Sequence, residues 1–381
     1  MEPICSLHLN TATSWRGGER QTLLLVEGLR REGHQASIAC PPASPLAERA
    51  RSSGIPVDEI PLRGELDLSS VRQLRRLIQH IDPQILQLHT AHAHTIGLLA
   101  NFGLRRAPSV IVQRRVDFSI YRSGTPFLTR FKYRHGVDRY IAISDKIAEV
   151  LQQDGVDPQR IRVVHSGVTA LPDPGQTVKQ LRDQLQLPDS APLLGSVGAL
   201  SEHKGHRYLI EAMGLLKSRQ AAAHLVLIGD GEEAEAIDTL AQQNGIADRI
   251  HRVGFQDDVS SWLAALDLYI HPSLEEGLGT SILDALTATR AVIASAVGGI
   301  PEVIEEGVTG RLVAPADPAR LAQVIDQLLD DPTTAETLAT AGKQRVEQHF
   351  SAEAMVRGNL AVHLELIEQM HSGQTNEKVA R

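Results

Sequence analysis

The chain has 381 residues, a formal net charge of −8, 3% aromatic residues and two cysteines, which is long enough for two domains that each bury a core. Ordinary composition, with no apolar run near the ~18–20 residues of a membrane span, excludes a disordered, fibrous or transmembrane chain. The acidic balance and the absence of a recognised motif argue against nucleic acid as a partner.

Charge is nevertheless uneven, +6 over residues 1–170 and −14 over 171–381. The first half therefore suits an anionic partner, with plain solubility as the alternative. The opening MEPICSLHLN carries no basic leader or long apolar core, so no signal peptide is expected. Cys5 and Cys40 lie in apolar strand-like runs, as thiols of a reducing compartment do. A cytoplasmic protein follows from these readings.

Short apolar runs at Ile4–Leu9, Ala36–Cys40, Ile85–His89, Val110–Val112 and Tyr140–Ile143 alternate with amphipathic stretches. This is the pattern of an α/β, parallel, doubly wound sheet. Ligands of such sheets bind at the carboxyl ends of the strands, which singles out the loops that follow them. In the first loop, Gly17-Gly18 opens a helix beside Arg16, suited to a phosphate or a reacting sugar. A plain turn is the alternative. The loop is not GxGxxG, so a nicotinamide cofactor is not expected.

His89, His92 and His94 follow the strand Ile85–Leu88. No carboxylate or cysteine accompanies them, so they read as lining for an acceptor, chiefly His89 and His92, rather than as metal ligands. After Val110–Val112 come Arg114 and Arg115, forked cations for an acceptor phosphate or carboxylate. Asp117 follows as a candidate base or orienting group, an ion pair within the loop being equally compatible. Residues 118–140 hold six of the 13 aromatics (Phe118, Tyr121, Phe127, Phe131, Tyr133, Tyr140) among Arg122, Arg130, Lys132, Arg134 and Arg139. Such a segment fits a helix lying on an anionic membrane, and equally core packing beneath a solvated basic face.

A break at Pro172-Asp173-Pro174-Gly175 starts a second series of strands. These are Leu193–Val197, Leu225–Ile228, Ile250–Val253, Leu268–Ile270, Ala291–Ala294 and Leu312–Ala314. The expected organisation is two Rossmann-like domains, 1–170 and 171–351, then a helix over 352–371 and a frayed tail over 372–381. Glycine turns end several strands: Gly198 to Lys204-Gly205, Gly229-Asp230-Gly231, and Gly254-Phe255. After Leu268–Ile270 come Glu275 and Glu276, then Gly277-Leu278-Gly279 opening a helix at Thr280, with Asp284 four residues on. Carboxylates accept from sugar hydroxyls, and the amides of a helix start donate to phosphate. The stretch reads as a nucleotide-sugar site.

Glu276 and Asp284 with seven residues between them, then Ala294-Ser295 and Gly298-Gly299-Ile300-Pro301-Glu302, resemble the signature of retaining family 4 glycosyltransferases (glycosyltransferase group 1). The resemblance implies the GT-B fold, two Rossmann-like domains facing a central cleft, with the helix from Ala352 crossing back to the first. It implies that Glu276 contacts the donor sugar, Asp284 the ribose, and Lys204 with the Gly277–Thr280 turn the diphosphate. Gly17-Gly18 would lie near the donor phosphates, and the Phe255 turn beside the base.

Four departures from the pattern are visible. Asp284 stands for Glu, Ala199 for Arg, Thr289 and Ala291 for Gly and Pro, and Arg114-Arg115 where many members have histidine. The implied activity is retaining transfer from a nucleotide-diphosphate sugar to a hydroxyl of a glycan, lipid-linked or lipopolysaccharide-type acceptor at the inner membrane face. Glu276, Lys204 and Asp117 are the catalytic candidates, the leaving phosphate taking the acceptor's proton, with no metal or cofactor. A GT-B-type epimerase, a sugar-phosphate synthase and a catalytically weak sugar-binding partner are the alternatives.

Overall fold

The computed structural model describes residues 2–64, 67–122, 126–188, 190–216 and 222–379, with side chains for all of these except 126–128 and 373–379, so Phe127 lies outside them. The chain divides into two compact units, Met1–Gly167 with Ala352–Arg381, and Val168–Ser351.

The first unit begins β1 (Cys5–Leu9), α1 (Gly17–Arg31), β2 (Gln35–Cys40), α2 (Pro45–Ser52), β3 (Val57–Glu59), α3 (Leu68–Ile81) and β4 (Ile85–Leu88). It continues α4 (Ala91–Asn101), β5 (Ser109–Arg114), α5 (Pro126–Arg134), β6 (Arg139–Ala142), α6 (Asp145–Gln153) and β7 (Ile161–Val163). The seven strands are parallel in the order β3-β2-β1-β4-β5-β6-β7.

The second unit begins α7 (Val178–Gln184), β8 (Leu193–Val197), α8 (His206–Leu215), β9 (His224–Ile228), α9 (Ala234–Gln243), β10 (Ile250–Gly254) and α10 (Val259–Ala265). It ends β11 (Leu268–His271), α11 (Thr280–Thr287), β12 (Ala291–Ser295), α12 (Ile300–Val303), β13 (Arg311–Val313), α13 (Pro318–Asp330) and α14 (Pro332–His349). Its six strands are parallel in the order β10-β9-β8-β11-β12-β13.

The inner strands β4, β11 and β12 bury every residue and are mostly apolar, as in a parallel sheet covered on both faces, with Gln87 and His271 among the buried polar exceptions. Helix starts are set locally: Ser44, Asp67, Thr90, Ser144, Asp258, Asp317 and Asp331 each accept an N–H of the first turn.

Three expectations change. β3 (VDE) and β7 (IRV) were not legible, because each is a three-residue edge strand with a polar, partly exposed sequence and no apolar run. The compact units divide after Gly167, where 1–170 and 171–351 were expected. The Pro-rich break is stitched to the second unit, Gly175 N–H donating to Asp258 Oδ2 (3.3 Å) and Gln176 N–H to Ser261 Oγ (3.0 Å). The last helix, α15 (Ala352–Val379), continues through the stretch expected to fray.

Helix α15 belongs to the first unit through both apolar and polar contacts. Met355, Val356, Val362 and Leu366 share a core with Leu25, Leu29, Ile38 and Ile85. Buried Gln87 of β4 donates to Asn359 Oδ1 (2.9 Å) and Gln113 Oε1 (2.9 Å), and accepts from His363 Nε2 (2.8 Å). Arg139 and Arg162 each place Nη2 2.6 Å from Glu365 Oε1. These paired polar groups fix the register of a helix whose apolar residues alone specify it weakly.

Candidate functional site

In a parallel sheet the ligand crevice lies where strand order reverses. That point falls at β1/β4 in the first unit and at β8/β11 in the second.

In the second unit, the loops leaving β8 and β11 are in contact. Gly205 has φ +66°, and a Cβ there would sit 2.2 Å from the Pro272 carbonyl oxygen, so only glycine allows this approach. Leu274 N–H donates to His203 O (2.8 Å), fastening the same two loops. The consequence is that Lys204 Nζ reaches Glu276 Oε2 at 2.5 Å. The turn into α11 needs a second glycine: Gly279 has φ +87°, and its Cβ would press on Ile282 Cδ1 at 2.8 Å. Gly277 and Leu278 are buried, Thr280 is half-buried at the first helical position, and Asp284 is buried one turn on. Gly299 N–H donates to Glu276 O (3.2 Å), tying in the Gly298–Glu302 segment. Phe255, after Gly254, is 57% exposed.

Three more side chains converge here that the sequence reading did not single out. His271 Nε2 lies 2.8 Å from Glu276 Oε2, and Ser273 Oγ donates to the same oxygen at 3.4 Å. Tyr269 OH lies 3.3 Å from His271 Nδ1. The legible signal was the period of two: Tyr269 and His271 share one face at the carboxyl end of a strand whose other residues are apolar. Burial opposes charge on Glu276, but the Lys204 ammonium and the His271 hydrogen bond outweigh it and hold the carboxyl well below its ordinary range. Burial lowers His271 despite the attraction of Glu276, so the ring is neutral at pH 7.

In the first unit, Gly17-Gly18 opens α1 at the end of the β1 loop. Buried Glu19 accepts the Arg16 backbone N–H (3.0 Å), while the Arg16 side chain is exposed. Arg115 passes beneath this turn, its Cδ 3.6 Å from where a Gly18 Cβ would be. Its Nη2 lies 3.3 Å from His89 Nδ1, His89 Nε2 lies 3.1 Å from His8 Nδ1, and His8 Nε2 lies 3.1 Å from Ser6 Oγ. A guanidinium only donates, which orders the chain: Arg115 donates to His89, His89 to His8, and His8 to Ser6. Burial, first of all, holds both histidines well below their ordinary value, so this neutral tautomer chain persists at pH 7. Burial lowers Arg115 to about 10 against the pull of Glu19, which leaves it charged.

The other candidates of this unit separate. His92 is exposed on the first turn of α4, and His94 is buried edge-on to Tyr133 (4.9 Å). The three histidines therefore face different surroundings. Arg114 turns inward, its Nη2 donating to Phe118 O (2.5 Å) and its guanidinium lying over the Phe118 ring. It holds the loop rather than facing a ligand, which corrects its expected place beside Arg115. Asp117 is half-buried in that loop. Of the aromatics in 118–140, Tyr133 and Tyr140 are core residues and Phe131 is 60% exposed.

Comparison with known proteins matches each unit. The family model for glycosyl transferases group 1 aligns with residues 177–345, and that for Glycosyltransferase Family 4 with residues 15–170. The lipopolysaccharide core biosynthesis glycosyltransferase LpsE of Rhizobium meliloti (strain 1021) is 31% identical over 250 residues, 66% of this chain and 71% of that protein. The 2-deoxystreptamine glucosyltransferase of Streptomyces kanamyceticus is 28% identical over 200 residues, 52% of this chain and 49% of that one. Among solved structures, Anabaena Alr3699/HepE in complex with UDP and glucose superposes with a TM-score of 0.84 at 22% identity, covering 95% of this chain and 99% of that one. The lipopolysaccharide outer core galactosyltransferase WaaB gives 0.71 at 16% identity, covering 94% and 99%. These structural likenesses establish the fold, which is GT-B.

Proposed function

The chain belongs to the group 1, family 4 glycosyltransferases, and from that premise we propose that it is a retaining, metal-independent enzyme. It moves a sugar from a nucleotide-diphosphate sugar to a hydroxyl of a cell-envelope glycan or glycolipid. The observation that carries this reading is the Glu276 carboxylate, held ionised against Lys204 beside the opening of α11.

The roles follow from charge. Lys204 and the amides at Gly279–Thr280 bind the donor diphosphate, with the positive end of the α11 dipole behind them. Glu276 accepts from donor-sugar hydroxyls and Asp284 from the ribose. As the sugar–phosphate bond lengthens, negative charge grows on the diphosphate and is met by donors already in place. One such donor is worth about a hundredfold to a thousandfold in rate. The acceptor hydroxyl attacks the same face of the oxocarbenium-like sugar and passes its proton to the leaving phosphate. With Lys204 and the helix dipole supplying the positive field, no divalent ion is required.

Because Alr3699/HepE holds UDP and glucose, UDP-sugars are the first donors to test, beside GDP- and ADP-sugars. A thermal-shift screen identifies the donor, since a ligand of the folded state raises its melting temperature. Glu276→Ala abolishes the sugar-dependent shift and the turnover, EDTA leaves turnover unchanged, and the product keeps the donor's anomeric configuration by NMR. Turnover unaffected by Glu276→Ala sinks the assignment. Binding without turnover for every acceptor favours a sugar-binding partner instead.

The likeness to LpsE supports a lipopolysaccharide-type acceptor, and Arg115 beneath the Gly17-Gly18 turn suits an anionic group on it. Among the described residues, no helix is long and apolar enough to cross a membrane. Peripheral contact is a separate matter. Exposed Leu68, Leu99, Phe102 and Phe131 lie on or at the end of α3, α4 and α5, with exposed Arg105, Arg106, Arg130 and Arg134 beside them in sequence. Apolar side chains among cations suit an anionic bilayer. Flotation with phosphatidylglycerol vesicles at low salt is expected, and it is expected to fail when Arg130 and Arg134 become Glu. Equal flotation of that variant refutes the membrane reading.

A further inference from the structure

Glu276 and Lys204 are assigned to different parts of the donor, sugar and diphosphate, yet they pair with each other at 2.5 Å. A diphosphate arriving at Lys204 must draw the ammonium away from Oε2. Whatever then holds the carboxylate decides whether it is aimed at the sugar or follows Lys204. We propose that His271 is a positioning residue that keeps Glu276 aimed at the donor sugar once Lys204 has moved to the diphosphate. This rests on the donor-site reading above.

The two nearest donors on Oε2 differ in freedom. Lys204 ends a long flexible stem on a short turn and is 20% exposed, so its ammonium can swing. The His271 ring is 2% exposed and sits on the last residue of β11, in register with Ala294 of β12. An ionised carboxylate only accepts, which puts the proton of the neutral ring on Nε2, facing Glu276 Oε2 at 2.8 Å with Ser273 Oγ 3.0 Å away; Nδ1 is left facing Tyr269 OH at 3.3 Å, a hydroxyl also 3.4 Å from Val197 O. Ser273 adds a weaker contact at 3.4 Å.

Charge favours the same division. The groups around His271 are Glu276 and Lys204 from the two loops, His206 at the start of α8, and Tyr269 on its own strand, with Asp284 on α11 close enough to act on that phenol. A neutral imidazole gives the carboxylate a hydrogen bond without a second positive charge. It does not compete with the diphosphate for Lys204, nor does it cancel the negative charge that the sugar hydroxyls meet. It resembles the second support behind a metal ligand, where a fixed hydrogen-bond partner sets the orientation of the group that touches the ligand.

The test separates sugar from nucleotide. Calorimetry gives the affinity of the donor nucleotide sugar and of the bare nucleoside diphosphate for the full chain, and their ratio is the sugar increment. Glu276→Ala removes that increment. His271→Phe is expected to cut it by about tenfold to a hundredfold, the worth of a hydrogen bond to a charged group, while bare diphosphate affinity stays within about threefold. His271→Gln, whose Nε2 can donate to the same oxygen, restores it. His271→Asn, polar but shorter, behaves as the Phe variant. The acid limb of the kcat/KM profile moves to higher pH in His271→Phe, because Glu276 loses one of the groups that keep it ionised.

A wild-type increment in both the Phe and Asn variants overturns the proposal. So does a parallel loss of bare diphosphate affinity, which marks a merely structural role. If Glu276→Ala itself leaves the increment unchanged, the donor-site assignment fails instead.

Discussion

Replacing Lys204 by Met removes the ammonium 2.5 Å from Glu276 Oε2 and leaves most of the aliphatic stem. Both side chains are largely buried, 20% and 13% exposed. Deleting one partner of a buried ion pair costs about 3–5 kcal/mol. Here His271 and Ser273 still donate to the carboxylate and some solvent reaches it, so a loss of about 2–3 kcal/mol is expected at pH 7. The sign with pH is specific. The folded carboxyl lies below its unfolded value, so in the wild type its contribution is present above about pH 4.3 and is lost as pH falls through the lower folded value. Without Lys204, burial dominates and the folded value rises, so ionisation opposes folding. The deficit of Lys204→Met is therefore full at pH 7 and shrinks below about pH 4.5.

The assay is urea unfolding of the second unit followed by fluorescence of Trp262, which is buried there, in a Trp15→Phe background. A probe within one unit avoids treating a two-unit chain as a single transition. The double variant Lys204→Met/Glu276→Gln regains at least about 1 kcal/mol over the single one, since no unpaired charge is left behind. A deficit below about 1 kcal/mol at pH 7, equal deficits at pH 7 and pH 4, or strict additivity refutes the account.

Three further outcomes are expected. Gly205→Ala places a Cβ 2.2 Å from the Pro272 carbonyl at φ +66°. It should cost more than about 2 kcal/mol and reduce turnover by displacing Lys204, and wild-type stability in urea would contradict it. Thr289 takes φ +56° just after α11, where Thr289 N–H bonds Leu286 O and Arg290 N–H bonds Ala285 O. Thr289→Gly relieves that left-handed strain and is expected to raise the unfolding free energy followed on Trp262 by about 0.5–1 kcal/mol, an unchanged free energy being the contrary result. His363 is lowered by burial to about 3, so protons bind the unfolded chain preferentially and stability of the first unit falls as pH drops below about 6.5. His363→Gln, which still donates to Gln87, should lessen the fall between pH 7 and pH 5 by about 2 kcal/mol on Trp15 fluorescence; an unchanged pH dependence refutes it.

Much of the fold was written in local pattern. Apolar runs of three to six residues gave every inner strand of both sheets, because strands covered on two faces are built mostly from such residues. Glycine pairs after strands gave the loops that matter, because a backbone at positive φ or in close contact with another loop has few other occupants. Glu276, Lys204 and the turn into α11 were legible for that reason.

What the sequence could not supply was which loops meet. Lys204 and Glu276 are far apart in the chain, and only the strand order β9-β8-β11-β12 makes their loops neighbours. The same holds for Arg114 and Arg115, adjacent in sequence and alike in chemistry. Arg114, the last residue of β5, turns into the Phe118 loop, while Arg115, just past the strand, lies against His89. His271 was hidden in another way: a polar residue ending an apolar strand is common, and its meaning comes from the carboxylate five residues later that folds back onto it. Local propensity fixes elements and turns within a few residues. Electrostatic roles arise from pairs distant along the chain, and those pairs exist only once the sheet has set its order.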